Sequence, residues 1–352
     1  MEKSLRFGGK EKSSVMRVLA GYLLDKTGLT ITKNDARKLT HLMIAFGKID
    51  GVLIRTEHLA GLEKIALLKK WNPSLHILLS LVGAKPDSFS RVSAEEETRR
   101  RFAVSCWETV RRFDIDGVDL DWEYPCCPEN FIEASPRDKE NFTLLCEAIR
   151  KEFERRGEWK LLLTIAAGAG QYYVENTQME KVSRYLDFVF LMTYDFRCGF
   201  HTLTGHHTNL YTSTGDLYRT SADAAVRLFL GSGVPASKIA IGGAMYSRMW
   251  TGVPDRNHGF LQPTEGSGKY GPVYSDLKAD YINRNGYERF WDDEAKAPYL
   301  FNGNTFISYD DPQSLQCKCK YIKQHNLAGI FYWEHGGDRT GELLNAMTSI
   351  LK

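Results

Sequence analysis

Eight short apolar runs alternate with longer amphipathic segments along this chain, and this alternation restricts the possible folds more than any other feature. Several runs are hydrophobic at nearly every position, as in HILLSLV at 76–82 and LDFVFLM at 186–192, which is typical of parallel strands that are covered on both faces. Strands that alternate with helices in this way favour a parallel sheet wrapped by helices. The predicted strands span 16–23, 39–49, 75–82, 115–124, 161–168, 186–196, 238–246 and 327–333.

The segments between these runs show helical periodicity with start and stop signals. The predicted helices span 57–71, 95–112, 137–156, 221–230, 312–324 and 341–352. An open doubly wound sheet normally has a glycine-rich phosphate loop after its first strand, and GYLLDKTG at 21–28 is not such a loop. The sequence therefore predicts the α/β class and a closed (β/α)8 barrel, the TIM-barrel fold.

One interval interrupts the alternation, between the seventh and eighth strands. Residues 251–309 are rich in Gly, Pro, Tyr and Asp and contain no long helical pattern, and the interval is too long for a simple loop. We expect a small α+β insertion here, with the barrel formed by 16–250 and 310–352. Because active sites of such barrels lie at the carboxyl ends of the strands, the insertion would form a wall of that site.

The charge of the chain argues against polyanionic partners. Lys and Arg number 46 against 44 Asp and Glu, which gives a net charge of +2, and no long basic run occurs. We therefore expect a neutral or weakly charged ligand, with no nucleic acid and no membrane as partners. No apolar run reaches membrane-spanning length, and residues 1–17 lack the apolar centre of a signal peptide.

The cysteines do not predict a metal site. They are seven in number, and no histidine cluster lies near them at zinc-ligand spacing. We interpret them as reduced structural thiols and expect neither metal nor cofactor, while a redox role for Cys126 and Cys127 stays open as an alternative.

The chemistry is concentrated in the fourth predicted strand, IDGVDLDWEY at 115–124. A period of two places Asp119, Asp121 and Glu123 on one face, and Val118 and Trp122 on the other. A polar strand face usually meets solvent, but the inner face of a barrel does not. Carboxylates about 6 to 7 Å apart along a buried strand cannot all ionise cheaply, so at least one pKa should be raised.

Glu123 lies nearest the carboxyl end of this strand, where barrel enzymes carry out chemistry. We therefore predict that Glu123 is a proton donor and Asp121 its electrostatic partner. A divalent metal site is the alternative, although such sites usually collect oxygen ligands from several strands.

The segment DGVDLDWEYP at 116–125 resembles the DxxDxDxE signature of glycoside hydrolase family 18, the chitinases and their relatives, and matches its four acidic positions. The resemblance implies retaining, substrate-assisted hydrolysis of β-1,4-linked N-acetylglucosamine, without a protein nucleophile. It implies that Glu123 serves as acid and then as base, that Asp121 orients the acetamido group, and that Asp119 shares a proton behind it. Asp116 would be structural.

Further motifs extend the resemblance along the chain. LMTYDF at 191–196 is similar to the MxYD motif, which implies that Tyr194 is catalytic. GGAMYSR at 242–248 resembles GxxxYGR, with Ser247 in place of glycine, and GIFYW at 329–333 resembles the strand whose tryptophan lies beneath the distorted sugar. The candidate substrate contacts are Trp333, Asp195, Met192, Tyr246, Arg248, Phe46, Tyr22, Trp122 and Tyr124.

Two departures from the family pattern bear on substrate length. The third strand reads Ser80-Leu-Val82-Gly-Ala84 where the family has SxGG, often followed by tryptophan, and the first strand reads GYLLDK without a second aromatic. Two stacking platforms are therefore absent, and we expect a preference for short chito-oligosaccharides over crystalline chitin. The segments GPVYSDL, YERFWDDEAKAPYLF and TFISYDDPQSL resemble the insertion of the deep-cleft chitinases.

Two other functions stay open at this point. A sugar-binding lectin on the same barrel would usually lack the acid, and a hydrolase of another N-acetylglucosamine polymer, such as peptidoglycan, would share it. We expect chitin or chito-oligosaccharide as the partner and a monomeric chain. The location is left open between secretion, with the signal removed, and the cytoplasm.

Overall fold

The computed structural model describes residues 17–25, 30–128 and 131–352. The strands of these residues are β1 (Val18–Leu24), β2 (His41–Asp50), β3 (Leu53–Arg55), β4 (His76–Gly83), β5 (Gly117–Leu120), β6 (Leu162–Gly168), β7 (Phe188–Met192), β8 (Ile239–Ala244), β9 (Tyr246–Thr251), β10 (Lys269–Val273), β11 (Glu288–Asp292), β12 (Ala297–Phe301), β13 (Thr305–Ser308) and β14 (Gly329–Trp333). The helices are α1 (Lys33–Ala36), α2 (Ile65–Trp71), α3 (Ser88–Ala94), α4 (Glu96–Phe113), α5 (Asp138–Arg155), α6 (Gln171–Glu175), α7 (Met179–Val182), α8 (Ala222–Gly231), α9 (Tyr274–Asp276), α10 (Pro312–Gln324) and α11 (Glu342–Leu351).

Eight parallel strands close into a barrel, which confirms the predicted fold. Their order is β1-β14-β8-β7-β6-β5-β4-β2, and β2 pairs with β1 to complete the circle. The strand β3 extends the sheet by antiparallel pairing with the end of β2. The first and last strands meet at a seam in which Val18 pairs with Gly329 and Gly21 with Tyr332.

Two layers of apolar side chains stabilise the barrel. The inner layer fills its axis with residues such as Met43, Leu78, Phe190 and Phe331, all of them 0% exposed. The outer layer packs the strands against the helices. Burial of a Leu, Ile or Phe side chain stabilises the fold by about 1.5–3 kcal/mol relative to leaving it exposed. Strands that are apolar on both faces are therefore most stable between the barrel interior and the helices.

The helices begin where the sequence offers capping groups. Asp311 accepts a hydrogen bond from the backbone N–H of Ser314 and precedes Pro312 at the start of α10. Glu95 and Thr98 form a reciprocal capping box at the start of α4, which ends at Asp114 in a left-handed conformation. These caps satisfy backbone groups that have no partner within the helix.

A second, antiparallel sheet of order β10-β9-β13-β12-β11 lies in the chain between β8 and β14, as the predicted insertion between strands seven and eight requires. Its own core contains Trp250, Phe260, Tyr299 and Phe306. Its strand β9 begins at Tyr246, two residues after β8 ends at Ala244, so the seventh barrel strand continues almost directly into this sheet. The division of the chain at 251 and 309 into two domains stays a prediction.

All eight predicted strands are present, with differences at their ends. The strand predicted at 115–124 pairs only over β5 (Gly117–Leu120), and the strand predicted at 186–196 pairs only over β7 (Phe188–Met192). Met16, the predicted start of the first strand, lies outside the described residues. Within the described ranges, no helix combines the length and the apolar character needed to cross a membrane.

Candidate active site

A row of three carboxyl groups rises from the barrel axis into a cleft at the carboxyl ends of the strands. The lowest, Asp119, is 0% exposed. It accepts hydrogen bonds from Tyr22 Oη at 2.8 Å, Ser80 Oγ at 2.7 Å and Thr164 Oγ1 at 2.6 Å. Burial raises the pKa of Asp119, although these three donors act in the opposite direction.

Asp121 and Glu123 share a hydrogen bond, so one proton lies between two carboxyl groups. Burial raises the pKa of Asp121 well above its ordinary value, and the charges of Glu123 and Asp119 raise it further. The other carboxyl oxygen of Asp121, Oδ1, is buried and has no hydrogen-bond partner among the described residues. Asp121 is therefore best satisfied as the protonated member of the pair.

Glu123 is half-buried and lines the cleft. Burial raises the pKa of its carboxyl group; the hydrogen bond from Tyr124 acts to lower it, and the charge of Asp195 acts to raise it. The net effect is a raised pKa, which keeps a proton on this group closer to neutral pH than an ordinary glutamate would. Once the proton shared with Asp121 passes to it, Glu123 can therefore donate that proton to a molecule bound in the cleft.

Asp195 lies across the cleft and is engaged by two basic side chains. Arg248 Nε donates to its Oδ1 at 2.6 Å, and His207 Nδ1 lies 3.6 Å from the same oxygen. Burial acts to raise the pKa of Asp195, but the hydrogen bonds and charges of His207 and Arg248 outweigh it and lower this pKa to about 2. Asp195 is thus an ionised carboxylate whose Oδ1 is occupied by Arg248.

Aromatic side chains form the floor of the cleft. Phe46 stacks on Trp333 with ring centroids 5.5 Å apart and an angle of 22° between the rings, and Tyr22 contacts the same indole at 5.7 Å. An indole face suits the C–H face of a pyranose ring. The cleft has a volume of about 760 Å³, within the range of sites for small molecules.

Tyr194 reaches the cleft because β8 has a glycine opposite it. A Cβ atom at Gly242 would lie 2.7 Å from Tyr194 Cε1, so any larger residue would displace the ring. Tyr194 contacts the rings of Tyr246 and Phe331 at 6.1 and 6.0 Å. Burial raises the pKa of its hydroxyl well above the ordinary value, and the charges of Asp121 and Glu123 add to this effect, so Tyr194 is a hydrogen-bond donor at neutral pH.

The structure brings most of the predicted residues to this cleft. Besides Asp121 and Glu123, the lining includes Tyr22, Phe46, Tyr124, Met192, Tyr194, Asp195, Tyr246, Arg248 and Trp333. Asp119 lies directly below, bonded to Tyr22.

Trp122 is the exception, and its prediction as a substrate contact is wrong. Its indole is 2% exposed and stacks on Phe89 at 5.1 Å, with Phe142 edge-on at 5.7 Å. The period of two along the chain turns Trp122 away from the carboxyl face and into the layer between barrel and helices. Its role is therefore packing.

Several residues of the cleft and its support were not predicted as site residues, among them Val82, Tyr172, His207 and Tyr270. Val82, Tyr172 and Tyr270 line the cleft, and Tyr270 covers the guanidinium group of Arg248 at 3.6 Å. Tyr270 is on the first strand to follow β9, and its position depends on a pairing within the second sheet that periodicity alone does not give. His207 lies twelve residues after Asp195, and no local sequence pattern indicates that it contacts the cleft.

Among the described residues there is no group of three or more His, Cys, Asp or Glu side chains placed to hold a metal ion. The carboxyl row comes from one strand and is bonded to hydroxyl groups and to itself. Acid–base chemistry is what this arrangement can supply.

A family model, curated relatives and solved structures all relate this chain to the same family. The family model "Glycosyl hydrolases family 18" matches residues 18–338. Chitinase A1 of Niallia circulans is 36% identical over 311 residues, which cover 83% of this chain and 44% of that protein. Chitotriosidase-1 of Mus musculus is 34% identical over 315 residues, which cover 85% of this chain and 67% of that protein. This chain thus spans less than half of the first relative's length.

A solved structure is similar over almost its whole length. It is described as a glycoside hydrolase family 18 N-acetylglucosaminidase from Paenibacillus barengoltzii. The two chains are 53% identical with a TM-score of 0.92, and the match covers 95% of this chain and 99% of the other.

Proposed function

Since this chain belongs to family 18 of the glycosyl hydrolases, we propose that it hydrolyses β-1,4-linked N-acetylglucosamine in chitin-derived oligosaccharides. Glu123 protonates the glycosidic oxygen, the substrate's own acetamido oxygen attacks the anomeric carbon, and water opens the resulting oxazolinium ion with Glu123 as base. The observation that carries the proposal is the row Asp119, Asp121 and Glu123, which leads from the barrel axis to a cleft with an indole floor.

The surrounding groups support substrate assistance over a carboxylate nucleophile. Asp195 is held by Arg248 at 2.6 Å, and Asp121 has a strongly raised pKa and bonds to Glu123. Asp121 is thus protonated at rest and Asp195 has one oxygen held by Arg248, whereas a double-displacement mechanism needs an unengaged carboxylate as its nucleophile. Asp121 can instead turn its carboxyl group toward an acetamido N–H when the proton it shares with Glu123 is transferred.

Two observations favour short substrates and release of small products. Val82, on the third barrel strand β4, lines the cleft at a position where the family has glycine. The relative that is 53% identical is described as an N-acetylglucosaminidase. We propose that the enzyme acts on soluble chito-oligosaccharides, and we carry removal of terminal N-acetylglucosamine as the second candidate function. Product analysis of the tetrasaccharide separates the two, because terminal cleavage yields the monosaccharide and the trisaccharide at early times, whereas internal cleavage yields the disaccharide.

The test is release of a fluorogenic reporter from N-acetylglucosamine and from its β-1,4-linked dimer and trimer near neutral pH. Glu123→Gln keeps the side-chain shape without the proton, and we expect kcat to fall by about 10²–10⁴-fold, the usual contribution of a general acid. Glu180→Gln is the matched control, because Glu180 is 69% exposed and pairs with Arg184 outside the cleft.

Each outcome of this test is informative. Activity in the native chain and in Glu180→Gln, with loss in Glu123→Gln, supports the hydrolase and its acid. Full activity of Glu123→Gln would refute the assigned mechanism. A native chain that binds the trimer by calorimetry without cleaving it would be a lectin, and one that neither binds nor cleaves would require another polymer, such as peptidoglycan.

A further inference from the structure

Two adjacent histidines lie in the loop that follows β7, and they bind to different parts of the molecule. His206 is 3% exposed and His207 is 0% exposed. His206 Nε2 lies 3.0 Å from Asp292 Oδ2, on β11 of the second sheet. His207 turns toward the cleft and contacts Asp195. Only the second contact lies in the active site.

Asp195 has a backbone conformation that few residue types adopt. Its φ is 59°, in the left-handed region, where Asp is tolerated better than most side chains but still at an energetic cost. Two atoms of His207 accept hydrogen bonds from the backbone of this turn. Its carbonyl accepts the N–H of Phe196 at 3.1 Å, and its Nδ1 accepts the backbone N–H of Asp195 at 3.5 Å. The backbone N–H of His207 donates to Ser308 Oγ at 2.8 Å, which anchors His207 itself.

The charged groups around His207 are few and well defined. Asp195 and Arg248 face its Nδ1 side, the buried Asp310 acts on it through its charge, and the ring of Tyr246 packs on it at 5.2 Å. Burial lowers the pKa of His207, so the ring is neutral at neutral pH. Its Nε2 is buried without a hydrogen-bond partner among the described residues, so the side of the ring that is engaged is the one facing Asp195.

We propose that His207 is a positioning residue of this active site, which holds Asp195 in its left-handed turn and so keeps its carboxylate against Arg248. Through that carboxylate, His207 controls the charge that Glu123 experiences across the cleft. The inference rests on the proposed hydrolase function for its kinetic readout.

The test compares substitutions of the two neighbouring histidines. His207→Phe keeps the ring volume and removes the acceptor of the Asp195 backbone N–H, so the Asp195 carboxylate leaves Arg248 and takes up a proton at higher pH. We expect the acid limb of the kcat/KM profile to move up by about one pH unit. His207→Asn places an amide near the position of Nδ1 and should bring the limb back, whereas His207→Gln, whose amide lies near Nε2, should not. His206→Phe is the matched control, and its profile should stay unchanged even if stability falls.

A measurement without substrate keeps the two proposals separable. The titration of the Asp195 carboxyl group by ¹³C NMR should show a higher pKa in His207→Phe than in the native chain, whether or not the chain hydrolyses a reporter. An unchanged Asp195 titration would overturn the inference, and so would an equal shift in His206→Phe. If His207→Phe does not fold, equal acid limbs for the Asn and Gln variants would overturn it.

Discussion

At the residue scale, the site is a set of carboxyl groups held where ionisation is costly. Asp119, Asp121 and Glu123 all have raised pKa values with burial as the main cause. Hydroxyl groups from β1, β4 and β6 stabilise the lowest member, while the middle one bonds to Glu123. Such a row stores a proton inside the barrel at the expense of folding stability.

Replacement of Asp121 by Asn should therefore stabilise the fold while it impairs catalysis. A pKa that is raised in the folded state contributes stability below the unfolded value, near 4, and this contribution is lost as pH rises toward the folded value. Asp121→Asn avoids that loss, so we expect its unfolding temperature at pH 7 to exceed the native one by about 1–3 °C. The gain should vanish near pH 4, and kcat should fall by about 10²-fold or more.

Thermal unfolding of both proteins at pH 4 and pH 7 tests this expectation, with Asp119→Asn as a comparison, in which an amide group replaces one of the two oxygens that accept from three hydroxyl groups. A lower unfolding temperature for Asp121→Asn at pH 7 would mean that the shared proton with Glu123 stabilises the fold.

The residues of the site differ in how well the sequence reveals them. Glu123 and Asp121 are predictable from the sequence, because three carboxyl groups at a period of two on one strand have few structural uses. The same periodicity argues against a cleft position for Trp122, and its proximity to the motif is not a sufficient reason to place it there. His207 and Tyr270 escape prediction because their contacts with Asp195 and Arg248 cross between elements and depend on tertiary packing.

At the element scale, closure of the barrel depends on close approach of its first and last strands. A Cβ atom at Gly329 would lie 1.9 Å from the carbonyl oxygen of Val18, its partner across the seam. Such a contact cannot be relieved by a rotamer change, because both partners are backbone. The seam therefore requires glycine at the start of β14.

Gly329→Ala should accordingly destabilise the whole barrel, by about 3 kcal/mol or more, as expected when overpacking forces the backbone to move. Gly231→Ala, at the end of α8, is the matched control, because its Cβ atom would meet nothing within 4 Å. Urea unfolding followed by circular dichroism measures both. Equal midpoints for Gly329→Ala and the native chain would show that the seam can open without cost.

Elements were predictable where local signals and burial agree. The helix predicted at 312–324 matches α10, since Asp311 and Pro312 mark its start. Short helices such as α6 and α7 carry too few turns for a periodic pattern. The predicted strand 115–124 pairs only to Leu120, because beyond that point the chain leaves the sheet to present Asp121 and Glu123 to the cleft.

At the scale of the whole molecule, the barrel and the second sheet together define the cleft. Phe46 and Val82 line it from the barrel, and Arg248 and Tyr270 line it from β9 and β10. Where the chain returns from the second sheet to the barrel, Asp310 accepts a hydrogen bond from the backbone N–H of Ala244 at 3.0 Å and forms a fully buried ion pair with Lys318 Nζ at 2.6 Å. We therefore expect substrate length to depend on what each part offers beyond the carboxyl row.

On the barrel side, the missing platform lies just beyond Gly83, where β4 ends. Ala84 is exposed there, and its backbone N–H donates to the carbonyl of Ile49 at 3.0 Å, so its position does not depend on its small side chain. Ala84→Trp should supply a stacking surface worth about 0.5–1.5 kcal/mol. We expect kcat/KM for the tetrasaccharide relative to the disaccharide to rise by about 2- to 10-fold, mainly through KM.

Ala94→Trp, at the exposed end of α3, adds the same indole outside the cleft and controls for non-specific binding of sugar to a surface aromatic. Steady-state kinetics on both oligosaccharides, with all three proteins, gives the ratio directly. A ratio that rises only in Ala84→Trp means that the native chain favours short oligosaccharides because it lacks this platform. A ratio that stays constant would place the limit on the opposite wall, where Tyr270 and Arg248 lie, since the same substrate must span both walls to be cleaved at Glu123.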